Sequence, residues 1–242
     1  EDLKSRPLNR EPIPHEPHQF GSRRVRKEFA VPYSKLHLAW RLPCSAHPDT
    51  PALSALSSIL GGGRSARFYE KFHDRLGLVY SIEVHSNQSE TDEGAFTISM
   101  DVDRAQRDKV RDLVLQELRN LAEEDFTEDL KRVCKQTRVS RLRRRSSASG
   151  VASEMGADWF GSRNLNLSSE WQEAIERVTT EDLHRVCSTW LSSPNVTEVS
   201  LDPPGSNAGD EERASASAGT ALSEHVLGNG MKVVIREDHR LP

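Results

Sequence analysis

ILGGGRSARFYEKFHDRLGLVYSIEV, residues 59–84, leaves one amphipathic segment through three glycines, enters another, and passes a fourth glycine into an alternating run. Gly61, Gly63 and Ala66 satisfy G-x-G-x-x-[GA], which cradles a dinucleotide only when a strand leads into it. Here a helix leads in. In DTPALSALSSILGGG, Thr50 reads as the N-cap, Pro51 suits the first helical position, and Gly61 takes the left-handed conformation that ends the helix. No Lys-Ser or Lys-Thr pair follows, so a phosphate-binding loop is excluded as well. The triplet Gly61, Gly62 and Gly63 is therefore read as a joint between helices. Its short loop would leave N–H groups open to the backbone of an extended peptide.

Working outward, Arg23–Val31 and Leu36–Leu42 alternate, and Leu36, Leu38, Trp40 and Leu42 share one face of a half-buried strand. The same period places Leu78, Tyr80, Ile82 and Val84 together, and then Phe96, Ile98, Met100 and Val102. SNQSETDEG joins these two strands as a polar hairpin loop. Helical periods cover Ser65–Leu76, Ala105–Glu123, Thr127 to about Phe160, Ser169–Val178 and Thr180–Leu191, with a last strand over Asn195–Leu201. Paired strands separated by helices, each with one apolar face, predict an α+β fold. It is a two-layer sandwich of a mainly antiparallel sheet with helices packed on one face.

The chain of 242 residues is expected to divide into an extended, proline-rich linker at 1–21, an α+β domain at 22–202, a flexible linker at 203–222, and the opening strand of a following domain at 223–242. That last strand, with Met231, Val233 and Ile235 on one face, is read as lacking a partner strand. The opening residues are charged where a signal peptide would be apolar, and no apolar run is long enough to span a bilayer. A net charge of -4 argues against nucleic acid as the partner of the whole chain. Cys44, Cys134 and Cys187 are widely spaced, with no C-x-x-C pair, and read as structural.

The run HPDTPALSALSSILGGGRSARFYEKFHDRLGLVYSIEV, with EPHQFGSRRV before it, VTTEDLHRVCSTWL later and LGNGMKVVIREDHRLP at the end, resembles the insulinase/pitrilysin family of zinc metallopeptidases. The branch it looks most like is that of mitochondrial processing peptidase. The resemblance implies one of several repeated α/β domains, in which two halves close like a clamshell around an unfolded peptide or protein substrate. It implies zinc in the parent protein, held by H-x-x-E-H in another domain or subunit. That motif is absent here, and HEPH at His15–His18 has the wrong spacing for a helical zinc pair. This stretch is thus expected to hold no metal and no catalytic residue of its own.

In the family an arginine and, seven residues later, a tyrosine face the scissile peptide from the opposing lobe. GLVY aligns that tyrosine with Tyr80, and the arginine's place falls on His73, where a neutral imidazole offers one donor instead of a charged fork. Arg75 would substitute only from a shifted helix. Read from the residues alone, Tyr80 shares the apolar strand face and packs in the core, and His73 is a half-exposed histidine beside the stripe of Phe68, Phe72 and Leu76. The resemblance thus implies a substrate-cradling, non-catalytic domain of a zinc metalloendopeptidase. The competing reading is an inactive half that serves assembly or peptide binding only.

Lys131, Arg132, Lys135, Arg138, Arg141 and Arg143–Arg145 also invite a reading as a nucleic-acid or anionic-membrane surface. Helical spacing spreads them around the helix, no aromatics lie among them to stack bases, and the preceding EEDFTED supplies countercharge. A solvated or inter-domain face is the better reading.

Overall fold

A computed structural model describes residues 19–88, 93–191, 195–205, 223–226 and 232–235. HEPH, Met231 and most of the expected linkers lie outside these residues. A five-stranded sheet runs in the order β1-β5-β2-β4-β3. Its strands are β1 (Arg23–Glu28), β2 (Ser34–Leu42), β3 (Val79–Asn87), β4 (Gly94–Val102) and β5 (Thr197–Asp202). All neighbours are antiparallel except β1 and β5, which run parallel. Leu36, Leu38, Trp40 and Leu42 are buried and their alternates are not, so the sheet is covered on one side, as the alternation predicts. Separately, β6 (Ser223–Val226) pairs antiparallel with β7 (Lys232–Ile235), so the final strand has a partner that its sequence did not indicate.

The covering layer comprises α1 (Thr50–Gly61), α2 (Arg107–Asn120), α3 (Thr127–Arg144), α4 (Ala148–Ser162), α5 (Leu167–Glu176) and α6 (Thr180–Val186). π-helical turns lie at Tyr69–Arg75 and Cys187–Leu191. Val110, Val114 and Leu118 of α2 meet Leu183, Val186 and Cys187 in the same core as the sheet's apolar face. At the start of α6 a reciprocal capping box joins Thr179 and Asp182. Asp49, just before α1, accepts from Trp190 Nε1 at 2.9 Å and pairs with Arg185, tying the first helix to the last. Burial pushes the Asp49 carboxyl up, but the bonds from Arg185 and Trp190 outweigh it and hold the group below the usual carboxylate range. The three thiols are unpaired with one another, and burial alone pushes Cys187 up to about 12, in keeping with a structural role.

Asp202 lies where three elements meet. Its carboxylate takes the Ser34 hydroxyl at 2.6 Å and an ion pair from Arg107, and its backbone carbonyl accepts from Phe29 N at 2.9 Å. Arg107 and Asp202 are both wholly buried. Arg26, Arg111 and Glu198 continue the charged network along β1, α2 and β5.

Several local expectations need correction. Asp49, not Thr50, precedes α1, and the Thr50 hydroxyl bonds Cys44 O at 3.2 Å. Gly61 remains helical; the left-handed residue is Gly63, at φ 104°. Gly61 is needed for space instead, since a Cβ there would stand 2.5 Å from Val84 N of β3. A side chain on Gly62 would run into the Ser58 carbonyl. The helix expected from Thr127 to about Phe160 breaks between α3 and α4, where the Ser147 hydroxyl accepts from Gly150 N at 3.0 Å and starts a new helix.

Gly61→Ala is expected to cost about 3 kcal/mol, because α1 and β3 must separate to admit the methyl group. Gly156→Ala in α4, where nothing lies within 4 Å of an added Cβ, should gain about 0.5–1 kcal/mol. Urea unfolding midpoints of the two variants check both signs.

Candidate functional site

The side of the sheet away from the helices is open to solvent. The alternation that buries Leu36, Leu38 and Trp40 sends Lys35, His37, Ala39 and Arg41 to this side. Cross-strand neighbours on β4 and the residue just before it meet them. Lys35 Nζ lies 2.9 Å from Asp101, His37 Nδ1 lies 2.8 Å from the Ser99 hydroxyl, and Arg41 pairs with Glu93. On β3, Glu83 and His85 are exposed on the same side, 3.4 Å apart. The surface is polar and largely self-satisfied, in contrast to the apolar face behind it. Burial of the His37 ring lowers its pKa, so it is neutral at pH 7.

Tyr80 belongs to this open side, contrary to the expectation that it packs with Ile82 and Val84. A β-bulge separates Val79, paired with Val102, from Ser81, paired with Asp101. The extra residue shifts the alternation, so that Val79 takes the core position at 5% exposure and Tyr80 turns outward at 52%. Its ring lies 4.1 Å from that of Tyr33, centroid to centroid.

His73 sits in the π-helical turn Tyr69–Arg75, where Leu76 N reaches back five residues to Lys71 O at 3.0 Å. A ring closed at that distance holds more residues per turn than an α-helix. Phe68 and Phe72 therefore stay buried while Leu76, the third member of the expected stripe, rotates out to 47% exposure. The His73 ring stacks on Tyr69 at 4.4 Å, and its Nδ1 lies 2.7 Å from Asp74. Arg75, the other candidate for the arginine role, pairs with Glu70. Among the described residues no hydrogen bond or ring contact joins His73 to Tyr80. Gly77, at φ 58°, makes the left-handed turn from this helix into β3.

The glycine loop does not offer the donors expected of it. Gly62 N bonds Ser58 O at 2.9 Å and Gly63 N bonds Gly61 O at 2.8 Å, so both N–H groups are engaged within the loop. Among the described residues no three His, Cys, Asp or Glu side chains are gathered as a metal site requires. Nor is any described helix long and apolar enough to cross a membrane. The basic stretch of α3 is interlaced with acids: Arg138 meets Glu176 at 2.9 Å, and Arg141 and Arg145 converge on Glu154 at 3.0 and 2.7 Å.

Sequence reading missed Tyr33 and the Arg107–Asp202 pair. A signal for Arg107 exists, since it stands three residues before Val110 and in phase with the stripe of Val110, Val114 and Leu118. Tyr33 has none, because its partner is set by a bulge.

The family model described as the peptidase M16 inactive domain matches residues 1–136. Zinc protease PqqE of Helicobacter pylori is 24% identical over 211 residues, covering 84% of this chain and 46% of that protein. The chain thus spans about half the length of this curated relative. A crystal structure of a protease from Helicobacter pylori superposes with a TM-score of 0.69 and 25% identity, over 81% of this chain and 49% of the other. A peptidase M16 inactive domain from Pseudomonas fluorescens gives a TM-score of 0.68 at 20% identity, over 78% and 45%, a likeness of fold.

Two outcomes are expected. Tyr80→Phe should leave unfolding free energy within about 0.5 kcal/mol of the parent, because the hydroxyl has no bond to lose among the described residues. Below the ordinary histidine pKa of about 6.5 the unfolded chain takes up the His37 proton before the folded chain does, so stability falls as pH drops through that value. His37→Gln should flatten that part of the stability profile between about pH 7 and 5, as read by thermal melts at each pH.

Proposed function

The chain belongs to the peptidase M16 family as its inactive domain, a non-catalytic part of the zinc proteases, and from this we propose that it cradles the peptide substrate of a zinc-dependent metalloendopeptidase. In this reading the zinc and its H-x-x-E-H ligands belong to another domain of the parent chain or to a partner subunit, and that other half closes over the open side of the sheet. The catalytic half activates water on its metal. This half holds and orients an unfolded peptide or protein substrate.

The observation that carries the reading is the outward turn of Tyr80. A residue whose period would bury it is brought onto the uncovered, polar side by a bulge, and bulges of this kind re-aim side chains next to functional sites. His73 is not proposed as a substitute for the family's arginine, since its ring is held by Tyr69 and Asp74. Nor do the N–H groups of Gly62 and Gly63 serve the peptide in this reading, since they are already bonded. The domain boundaries at 1–21, 22–202, 203–222 and 223–242 are retained as part of the proposal. The second reading, an inactive half that serves assembly or peptide binding only, is favoured by the missing arginine.

Isolated, the chain is expected to bind no stoichiometric zinc and to cleave no peptide. On addition of reduced, unfolded casein its amide hydrogen exchange should slow in β2 and β3. One zinc per chain by metal analysis, or cleavage in a peptidase assay, would refute the non-catalytic assignment. Unchanged exchange would leave assembly as the function.

A further inference from the structure

Two tyrosines meet on the open side of the sheet. Tyr33 comes from the connection between β1 and β2, and Tyr80 from the bulge in β3. Their centroids are 4.1 Å apart with the planes tilted by 34°, yet the two residues remain 43% and 52% exposed. Among the described residues neither hydroxyl has a hydrogen-bond partner. A tilted aromatic pair left in water with both polar ends unused is the composition of a recognition surface, where tyrosine supplies area and a donor at little entropic cost.

The pair stands on a rigid base. Ser34, next to Tyr33, is wholly buried and its hydroxyl is fixed at 2.6 Å to Asp202, which Arg107 holds in turn. Val79, next to Tyr80, is buried and paired with Val102, and Ser34 pairs with that same Val102 from the other side. One residue of β4 thus anchors both tyrosine-bearing segments.

We propose that Tyr33 and Tyr80 form an aromatic shelf that receives an aromatic side chain of the bound extended peptide, with Tyr33 setting that preference. The proposal rests on the peptide-cradling reading above and deepens it. Lys35, two residues from Tyr33, and Asp101, paired across the sheet with Ser81 beside Tyr80, neutralise each other at 2.9 Å. A cationic side chain would meet the Lys35 ammonium as well as the Asp101 carboxylate. An uncharged ring meets only the faces and edges of the two phenols, the geometry in which aromatic pairs attract beyond their buried area. Tyr33 is thereby assigned as the partner of Tyr80 in this contact.

The test uses the full chain and three fluorescein-labelled, otherwise identical Gly/Ser/Ala peptides with a central Phe, Lys or Ala, titrated by fluorescence anisotropy. The Phe peptide should bind tighter than the Ala peptide by about fivefold, as an aromatic contact of ordinary strength gives. Tyr33→Ala should abolish that difference, so that the Phe and Ala peptides bind the variant equally. Tyr33→Phe, which keeps the ring, should preserve it. Thermal melts of both variants establish that they are folded; if Tyr33→Ala does not fold, Tyr33→Leu replaces it with the same expectation. Equal binding of the Phe and Ala peptides would overturn the shelf and leave the cradling reading standing, as would tighter binding of the Lys peptide, or a selectivity that survives Tyr33→Ala. Failure of all three peptides to bind the parent chain would overturn both.

Discussion

The junction at Asp202 is the constraint on which the rest of the domain depends. A carboxylate at the end of β5 satisfies the first residue of β2 and the first residue of α2, and its own carbonyl takes the chain that leaves β1. Buried ionic groups of this kind are tolerated only when fully partnered, since a stranded charge in a dry interior destabilises by several kcal/mol, about 3–5 when one partner is removed. The pairing therefore specifies arrangement more than it adds stability. With Arg107 seated on Asp202, α2 can lie over the sheet in one register, and β5 is fixed between a parallel and an antiparallel neighbour.

Most of the architecture was legible in the sequence because it follows from two periods. Leu36 to Leu42 and Phe96 to Val102 alternate without interruption, and the structure buries that face of both strands. The helical period over Thr180–Leu191 predicted α6 and the π-helical turn after it, and the structure adds a capping box of Thr179 and Asp182 at its start. The errors fall where a residue is inserted into a period. The π-helical turn takes more residues to close than the pattern assumes, which frees Leu76. The bulge does the same in β3, which moves Tyr80 across the sheet. Neither insertion leaves a local mark in composition. The break before α4 did leave one, in the weak helix formers Ser146, Ser147 and Gly150, between the arginine-rich end of α3 and the start of α4.

The candidate site was legible to a lesser degree, and unevenly. Tyr80 was identified through family likeness while its own alternation pointed into the core, and the likeness proved the better guide to its exposure. His73 and the glycine loop were named for donors that the structure shows to be engaged at home. Hydrogen bonds between neighbours in a turn depend on backbone angles that residue type alone does not fix. Tyr33, Ser34, Arg107 and Asp202 owe their roles to contacts between distant parts of the chain. Of these only Arg107 betrayed itself, as a cation standing in an apolar stripe.

The outermost strand has a consequence for life in a crowded solution. Arg23, Arg24, Arg26 and Lys27 occupy four of the six positions of β1, and every residue but Arg26 is exposed. An identical strand aligned along that border would set long cationic side chains against their own kind, which disfavours fibril-like stacking at this edge. Charge on the rim thus guards the sheet against pairing with copies of itself while its broad polar side stays bare.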